Sequence, residues 1–297
     1  MAHNHSHNDE GNQSEKSLII TMLLNFLITI AEVIGGLLSG SLSLISDALH
    51  NFSDGVAIII TYIAMKLSKK PKTFKYTFGF KRAEILAAII NSSTLIIISF
   101  FLIKEAVERF YNPSPITGSL MLIVATIGLI ANVVGTLLLK KGSEDNLNMR
   151  AAYFHLLSDA VSSLAVIIGA VFIIVFKIYW LDPILTILIS LYILKEAYSI
   201  TKEAIEVLMM SAPDGIDIQE IQGEIEKLPE VINIHHLHIW KLNDNQIHFE
   251  THIEVNDSLI SNLMPLKIEI EEILEHKFKI SHTTIQFEIS QCDNVLV

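Results

Sequence analysis

The chain has 297 residues, 51% of them hydrophobic, and a mean hydropathy of +0.48, a balance too apolar for an ordinary soluble protein. Its net charge of −11 is carried at one end: residues 1–211 hold 16 Lys+Arg and 16 Asp+Glu, residues 212–297 hold 5 and 16. The composition describes a membrane protein with a separate acidic soluble tail, and it excludes nucleic acid as a partner, because nucleic acid requires basic patches.

Residues 1–17 are polar and read as a flexible arm. His3, His5 and His7 alternate there with Asn and Ser, either as a loose metal-collecting arm or as incidental histidines of a solvated tail. No cleavable signal peptide is expected, since the first residues carry His, Asp and Glu instead of a basic stretch. Six apolar runs follow, at 18–38, 42–66, 83–108, 119–139, 151–176 and 181–208. Each reaches the length of about 20 residues that crosses a hydrocarbon core, and together they define a six-helix all-α transmembrane domain over 18–210. In the first run Asn25 and Glu32 share a helical face. Asn25 reads as a hydrogen-bonder between helices; Glu32 is open between that role and a proton or ion path.

The second run places Asp47, His50, Asn51 and Asp54 at i, i+3, i+4 and i+7, a polar stripe that cannot face lipid. The fifth repeats the arrangement with His155, Ser158, Asp159 and Ser162. Both contain His-x-x-Ser-Asp, and residues four apart project from the same helix face, so each helix offers one imidazole and one carboxylate. A lone pair of this kind is as well explained by an imidazole–carboxylate hydrogen bond between helices. Two matching pairs, holding the only histidines that lie within the apolar runs, supply the four N/O donors that tetrahedral zinc takes. An ionisable group at membrane depth costs at least about 2.5 kcal/mol, and two such pairs imply a transport pathway.

Basic residues cluster in two connections: Lys66, Lys69, Lys70, Lys72, Lys75, Lys81 and Arg82 after the second run, and Lys140, Lys141 and Arg150 after the fourth. The remaining connections are short and hold one Lys, so both termini are expected on the cytoplasmic side. The single cysteine, Cys292, supports neither a disulfide framework nor a thiolate metal site.

From Ala212-Pro213-Asp214-Gly215 the pattern changes to a small α+β domain over 211–297. A helix is expected at 216–228, strands at 231–242 and 246–255 around the turn Asn243-Asp244-Asn245, a second helix at 259–278 disturbed at Pro265, and a strand at 283–289. The order is αββαβ, a ferredoxin-like arrangement. The domain holds His235, His236, His238, His248, His252, His276 and His282. Strand alternation pairs His236 with His238 and His248 with His252, either as metal ligands or as surface residues of a solvated sheet.

These residues resemble those of the cation diffusion facilitator family, proton-coupled exporters of zinc, cobalt and cadmium. The likeness rests on His50-x-x-x-Asp54 and His155-x-x-x-Asp159, on Tyr76-x-Phe78-Gly79-x-x-Arg82-Ala83-Glu84, on Leu181-Asp182-Pro183-Ile184 and on His235-x-Leu237-His238-Ile239-Trp240. It implies a homodimer in which His50, Asp54, His155 and Asp159 form the transport site of each protomer, with the cytoplasmic tails packing together and binding regulatory Zn2+. It places the protein in the inner membrane of a bacterial cell. Histidine on the second span is like that of zinc-preferring members, and imidazole suits Zn2+ and Co2+ better than Mn2+. Two departures stand out. The connection between the second and third spans offers no acidic ligand, so no metal is expected there. In the tail, the His-x-Asp of some relatives is replaced by Gln286-Phe287-Glu288, which leaves His235, His252 and Glu288 as ligands and His238 and His248 in reserve.

The mechanism expected is antiport by competition: a proton and a metal ion seek the same lone pairs, and an imidazole with an unperturbed value near about 6.5 changes state between cytoplasm and a more acidic exterior. The rival readings are a metal importer built on the same helices and a membrane zinc metallohydrolase. The latter needs an open coordination position and a general base, which four ligands do not leave.

Overall fold

The computed structural model describes residues 7–140, 147–243 and 246–289. Six long helices come first: α1 (His7–Ser39), α2 (Leu42–Ser68), α3 (Ala83–Tyr111), α4 (Gly118–Lys140), α5 (Leu147–Phe176) and α6 (Leu181–Leu208). Five of them, α2 to α6, are long and apolar enough to cross a membrane, and α1 contributes a shorter apolar stretch, Leu23–Ser39. Helix α1 begins at His7, ahead of the expected residue 18. The segment contains no proline to interrupt a helix. His3 and His5, the side chain of His7, the Asp244-Asn245 turn and Cys292 lie outside the described residues.

The chain divides into two compact units. The first comprises Met1–Tyr62 and Ile90–Thr201. Its helices turn large apolar side chains outward, Phe26, Leu37, Ile97, Phe101 and Leu137 among them, as suits surfaces whose solvent is hydrocarbon. The interior is built from smaller and more polar residues. A Cβ at Gly35 would stand 2.5 Å from Val124 Cγ2, and one at Gly118 2.8 Å from Ile174 Cγ1, so α4 approaches α1 and α5 at a separation only glycine permits. Leu44, Met121, Val124, Val166, Ala170 and Ile173 form the apolar core there.

The start of α2 is fixed from far along the chain. The Asp182 carboxylate, in the first turn of α6, accepts hydrogen bonds from Ser41 Oγ at 2.7 Å, Leu42 N at 2.8 Å, Ser43 N at 3.2 Å and Ser43 Oγ. Ser41 Oγ also accepts from Leu44 N at 3.2 Å. The backbone donors that a helix leaves unpaired at its first turn are therefore satisfied, two of them by a carboxylate lying at the positive end of the helix dipole.

The second unit comprises Ile63–Ile89 and Lys202–Val297. Ile85, Ala204 and Val207 pack together within it. Its remaining elements are α7 (Ile218–Ile225), β1 (Val231–Asn243), β2 (Gln246–Val255), α8 (Ile260–Phe278) and β3 (His282–Glu288), the αββαβ order. The sheet order is β1-β2-β3, with β1–β2 antiparallel and β2–β3 parallel. Ile221, Ile225, Ile234, Leu237, Phe249, Ile253, Ile270 and Leu274 make its core. Asp217 caps α7 by accepting from Gln219 N at 2.8 Å. Helix α8 runs on through Pro265, which sits near the N-terminus where only one intrahelical bond is lost.

Strict alternation fails in β1. The register shifts between His235 and His238, and His236 lies there with φ +50°, the extra residue of a β-bulge. His235 pairs with His252, His238 with Glu250 and Trp240 with His248. The bulge moves His235 off the core face, where alternation with Leu237 and Ile239 would have put it, onto the face that carries His238, His248 and His252.

Candidate metal centres

In the helical unit, α2 and α5 bring their polar stripes face to face. His50 Nε2 stands 3.6 Å from Asp54 Oδ2 on its own helix and 3.9 Å from Asp159 Oδ1 across the interface. His155 Nε2 stands 3.6 Å from Asp159 Oδ2 and 3.2 Å from Asp54 Oδ2. The two rings meet edge to face with centroids 5.8 Å apart. Donors around a zinc ion at about 2.0–2.1 Å stand about 3.3–3.4 Å from one another in a tetrahedron. His50, His155 and Asp159 form a group of potential ligands with atoms within 4.8 Å of one another, Asp54 lies against both imidazoles, and Asp159 is 2% exposed.

The serine of each His-x-x-Ser-Asp turns away from this centre and fixes its helix to a neighbour. Ser53 Oγ donates to Asn91 Oδ1 on α3 at 3.2 Å, and Ser158 Oγ lies 3.1 Å from Tyr192 Oη on α6. Asp47, one turn before His50, accepts from Ser162 Oγ at 2.8 Å, a second link between α2 and α5. Asn51 donates through Nδ2 to Glu32 Oε2 at 3.0 Å, joining α2 to α1. Asn25, expected to bond between helices, has its Oδ1 buried with no hydrogen-bond partner among the described residues.

In the second unit, His235, His252 and Glu288 form a second group of potential ligands. His235 Nε2 lies 3.2 Å from Glu288 Oε2 and His252 Nδ1 2.9 Å from Glu288 Oε1. Gln286 donates from Nε2 to Glu288 Oε1 at 2.7 Å, a positioning contact that the sequence reading did not foresee. Desolvation pushes the Glu288 carboxyl up, but the Gln286 amide and the two imidazoles outweigh it and hold the group below its ordinary value. Two imidazoles and an ionised carboxylate are a donor set that fits Zn2+.

The reserve histidines stand apart from that group. His238 packs against His236, with ring centroids 4.6 Å apart. His248 stacks on Trp240 at 5.5 Å and approaches His282 at 4.6 Å and Phe78 at 5.7 Å. At about 3.3–3.4 Å per strand residue, His248 is about 13 Å along β2 from His252, too far to share one ion.

Comparison with known proteins covers most of the chain. Residues 18–209 match the cation efflux transmembrane domain, and residues 213–290 match the cation efflux protein, cytoplasmic domain. The zinc transporter ZitB of Pectobacterium atrosepticum is 38% identical, over 99% of this chain and 91% of its own. The cadmium, cobalt and zinc/H(+)-K(+) antiporter of Bacillus subtilis is 40% identical over 96% and 91%. The metal cation efflux system protein CzcD of Cupriavidus metallidurans is 37% identical over 99% and 92%. A solved structure, the metal-bound C-terminal domain of the CzcD transporter, covers 25% of this chain and 99% of that one at 33% identity and a TM-score of 0.23. On the match of both domains, the chain belongs to the cation efflux family and is a membrane transporter, not an enzyme.

Proposed function

We propose that the protein exports divalent transition-metal ions, chiefly Zn2+ and also Co2+ and Cd2+, from the cytoplasm in exchange for protons. The observation that carries this reading is the cluster of His50, His155 and Asp159 with Asp54 at 3.2–3.6 Å from both imidazoles, the donor types that zinc takes. The relatives named as zinc transporters and as a cadmium, cobalt and zinc antiporter support the same substrates.

Protons compete with the ion for these lone pairs, so a proton-loaded site and a metal-loaded site exclude one another. Exchange follows if one form opens outward and the other inward. Both termini face the cytoplasm, in keeping with the basic connections after α2 and α4, and the bacterial relatives support a place in the inner membrane. The working unit is a homodimer. In the tail, His235, His252 and Glu288 hold a regulatory Zn2+ whose binding biases the helices toward transport.

Zinc flux and internal pH followed together in sealed vesicles test the reading. Zinc movement against its gradient, driven by an imposed pH difference and lost in Asp54→Ala and Asp159→Ala, is the expected result. Flux near the wild-type rate in either variant shows that the site is misassigned, and flux indifferent to pH removes the exchange. Net zinc movement into the cytoplasm would favour the importer.

A further inference from the structure

The connection between α2 and α3 carries Tyr76-x-Phe78-Gly79-x-x-Arg82-Ala83-Glu84, a motif to which the metal centres assign no task. Seven basic residues and no acidic one lie between positions 66 and 82, with Phe74, Tyr76, Phe78 and Phe80 interleaved among them. The connection folds on itself. Thr73 N donates to Tyr76 O at 3.1 Å and Gly79 N to the same carbonyl at 2.9 Å, with Gly79 at φ +75°. The Tyr76 and Phe80 rings lie 4.6 Å apart. Ser68 Oγ, at the end of α2, donates at 2.7 Å to Glu84 Oε1 in the first turn of α3.

Beside this connection the second unit holds a cavity of about 560 Å3, within the range of about 300–1,000 Å3 that small-ligand sites occupy. Its apolar walls include Leu67 in the last turn of α2, Leu86 in the first turn of α3, Met210 just beyond α6, and Trp240 and Leu242 on β1. Three charged side chains, Lys81, Arg82 and Glu250, also line it, so its balance is cationic. Arg82 Nε is buried with no hydrogen-bond partner among the described residues. A buried guanidinium donor left unmatched is costly, and phosphate oxygens suit its planar fork. Both α2 and α3 are long and apolar enough to cross a membrane, so their ends set the cavity at the boundary where acyl chains meet headgroups.

We propose that this cavity binds an anionic phospholipid, with an acyl chain against Leu67, Leu86 and Trp240 and the headgroup phosphate at Lys81 and Arg82. Apolar walls beside two cations match the two ends of such a lipid. A free phosphate compound engages the cations and leaves the walls unused. A zwitterionic lipid brings a second cation to a connection already bearing seven basic residues, whereas an anionic one brings none. Phe74, Tyr76 and Phe78 are exposed, and aromatic rings mixed with lysines are the composition of a segment lying at headgroup level. The bound lipid touches β1 and the ends of α2 and α3 at once, so it fastens the tail domain to the connection between two spans.

The test uses the full chain in neutral detergent. Trp180→Phe leaves Trp240 as the single tryptophan, so a phospholipid brominated on its acyl chain quenches the fluorescence only where it reaches the cavity wall. Brominated phosphatidylglycerol is expected to half-quench at a concentration about tenfold lower than brominated phosphatidylcholine, and Lys81→Gln with Arg82→Gln raises that concentration about tenfold. Ala83→Leu, which narrows the cavity without changing its charge, raises it about threefold or more. Equal half-quenching by the two lipids overturns the proposal, as does a value unmoved in Lys81→Gln, Arg82→Gln or in Ala83→Leu. Displacement of the lipid by an equal concentration of glycerol 3-phosphate also overturns it, because the site then reads a free phosphate. Where the double variant does not elute at the native position, added salt on the Trp180→Phe protein replaces it: a phosphatidylglycerol value that rises with salt supports the charged contact, and one indifferent to salt overturns it.

Discussion

Asp182→Ala tests whether the first turn of α2, which leads to His50 one and a half turns later, is held by a carboxylate on another helix. Asp182, Ser41 and Ser43 are fully buried, so water cannot replace what the carboxylate supplies. The substitution leaves Leu42 N and Ser43 N without their acceptor, at about 1–3 kcal/mol each, and removes a negative charge from a helix N-terminus, worth about 0.3–2 kcal/mol. The two hydroxyls can turn to other acceptors, so they add little. The expected loss is about 3–6 kcal/mol, and Asp182→Asn, which keeps one acceptor oxygen, loses about half of that. At about 2–4 °C per kcal/mol for a chain of this size, Asp182→Ala lowers the apparent unfolding midpoint by about 6–24 °C. The assay heats aliquots of detergent-solubilised protein and measures what still elutes at the native position, with zinc affinity determined before heating. A midpoint within about 2 °C of wild type refutes the capping argument. A stable Asp182→Ala variant that no longer binds zinc places Asp182 on the metal path instead.

Three further outcomes follow from the geometry. His50→Asp replaces a nitrogen donor with an oxygen and broadens selectivity, so the ratio of cadmium to zinc flux in competition rises about threefold or more; an unchanged ratio removes His50 as a selectivity element. In an Asp54→Ala, Asp159→Ala background, calorimetry on the full chain detects remaining zinc bound in the tail, and adding His235→Ala and His252→Ala weakens it about tenfold or more; no zinc uptake in that background removes the regulatory ion. His248 is held below its ordinary value by desolvation, then by His282 and Lys72, so the unfolded chain takes up protons there more readily than the folded one. Its contribution is intact above about pH 6.5 and is lost as pH falls below it, and His248→Gln makes thermal stability fall less steeply between about pH 6.5 and 5.5, measured on the full chain.

Much of the fold is a consequence of patterns that one sequence displays. Apolar runs of membrane length became α2 to α6, because nothing shorter satisfies backbone groups across hydrocarbon, and the tail followed its αββαβ reading because its strands and helices differ in period. The misses are contacts between distant residues or local backbone exceptions. Asp182 reaches Ser41 across 141 positions, and no local pattern marks such a cap. The bulge at His236 needs a positive φ at a residue other than glycine, so alternation paired His236 with His238. Only the bulge accounts for His235 and His252 on one face.

The meeting of the two histidine–carboxylate pairs was legible because a four-residue spacing is a geometric statement: it sets an imidazole and a carboxylate on one helix face whatever surrounds them. What that spacing could not reveal is which donors pair. Asp54 lies closer to His155, at 3.2 Å, than to His50 on its own helix, at 3.6 Å. The tightest contact therefore crosses between α2 and α5, and the ion on the proposed reading ties two helices together instead of resting on one. Separating them leaves each helix with two donors, a set that holds zinc far less firmly than four. The same displacement that opens the site then weakens its grip on the ion, and an ion that binds the apposed form better shifts the helices toward it by no more than that difference in affinity. Protons on His50 and His155 cancel the difference, which is why competition for lone pairs and movement of α2 against α5 amount to a single event in this arrangement.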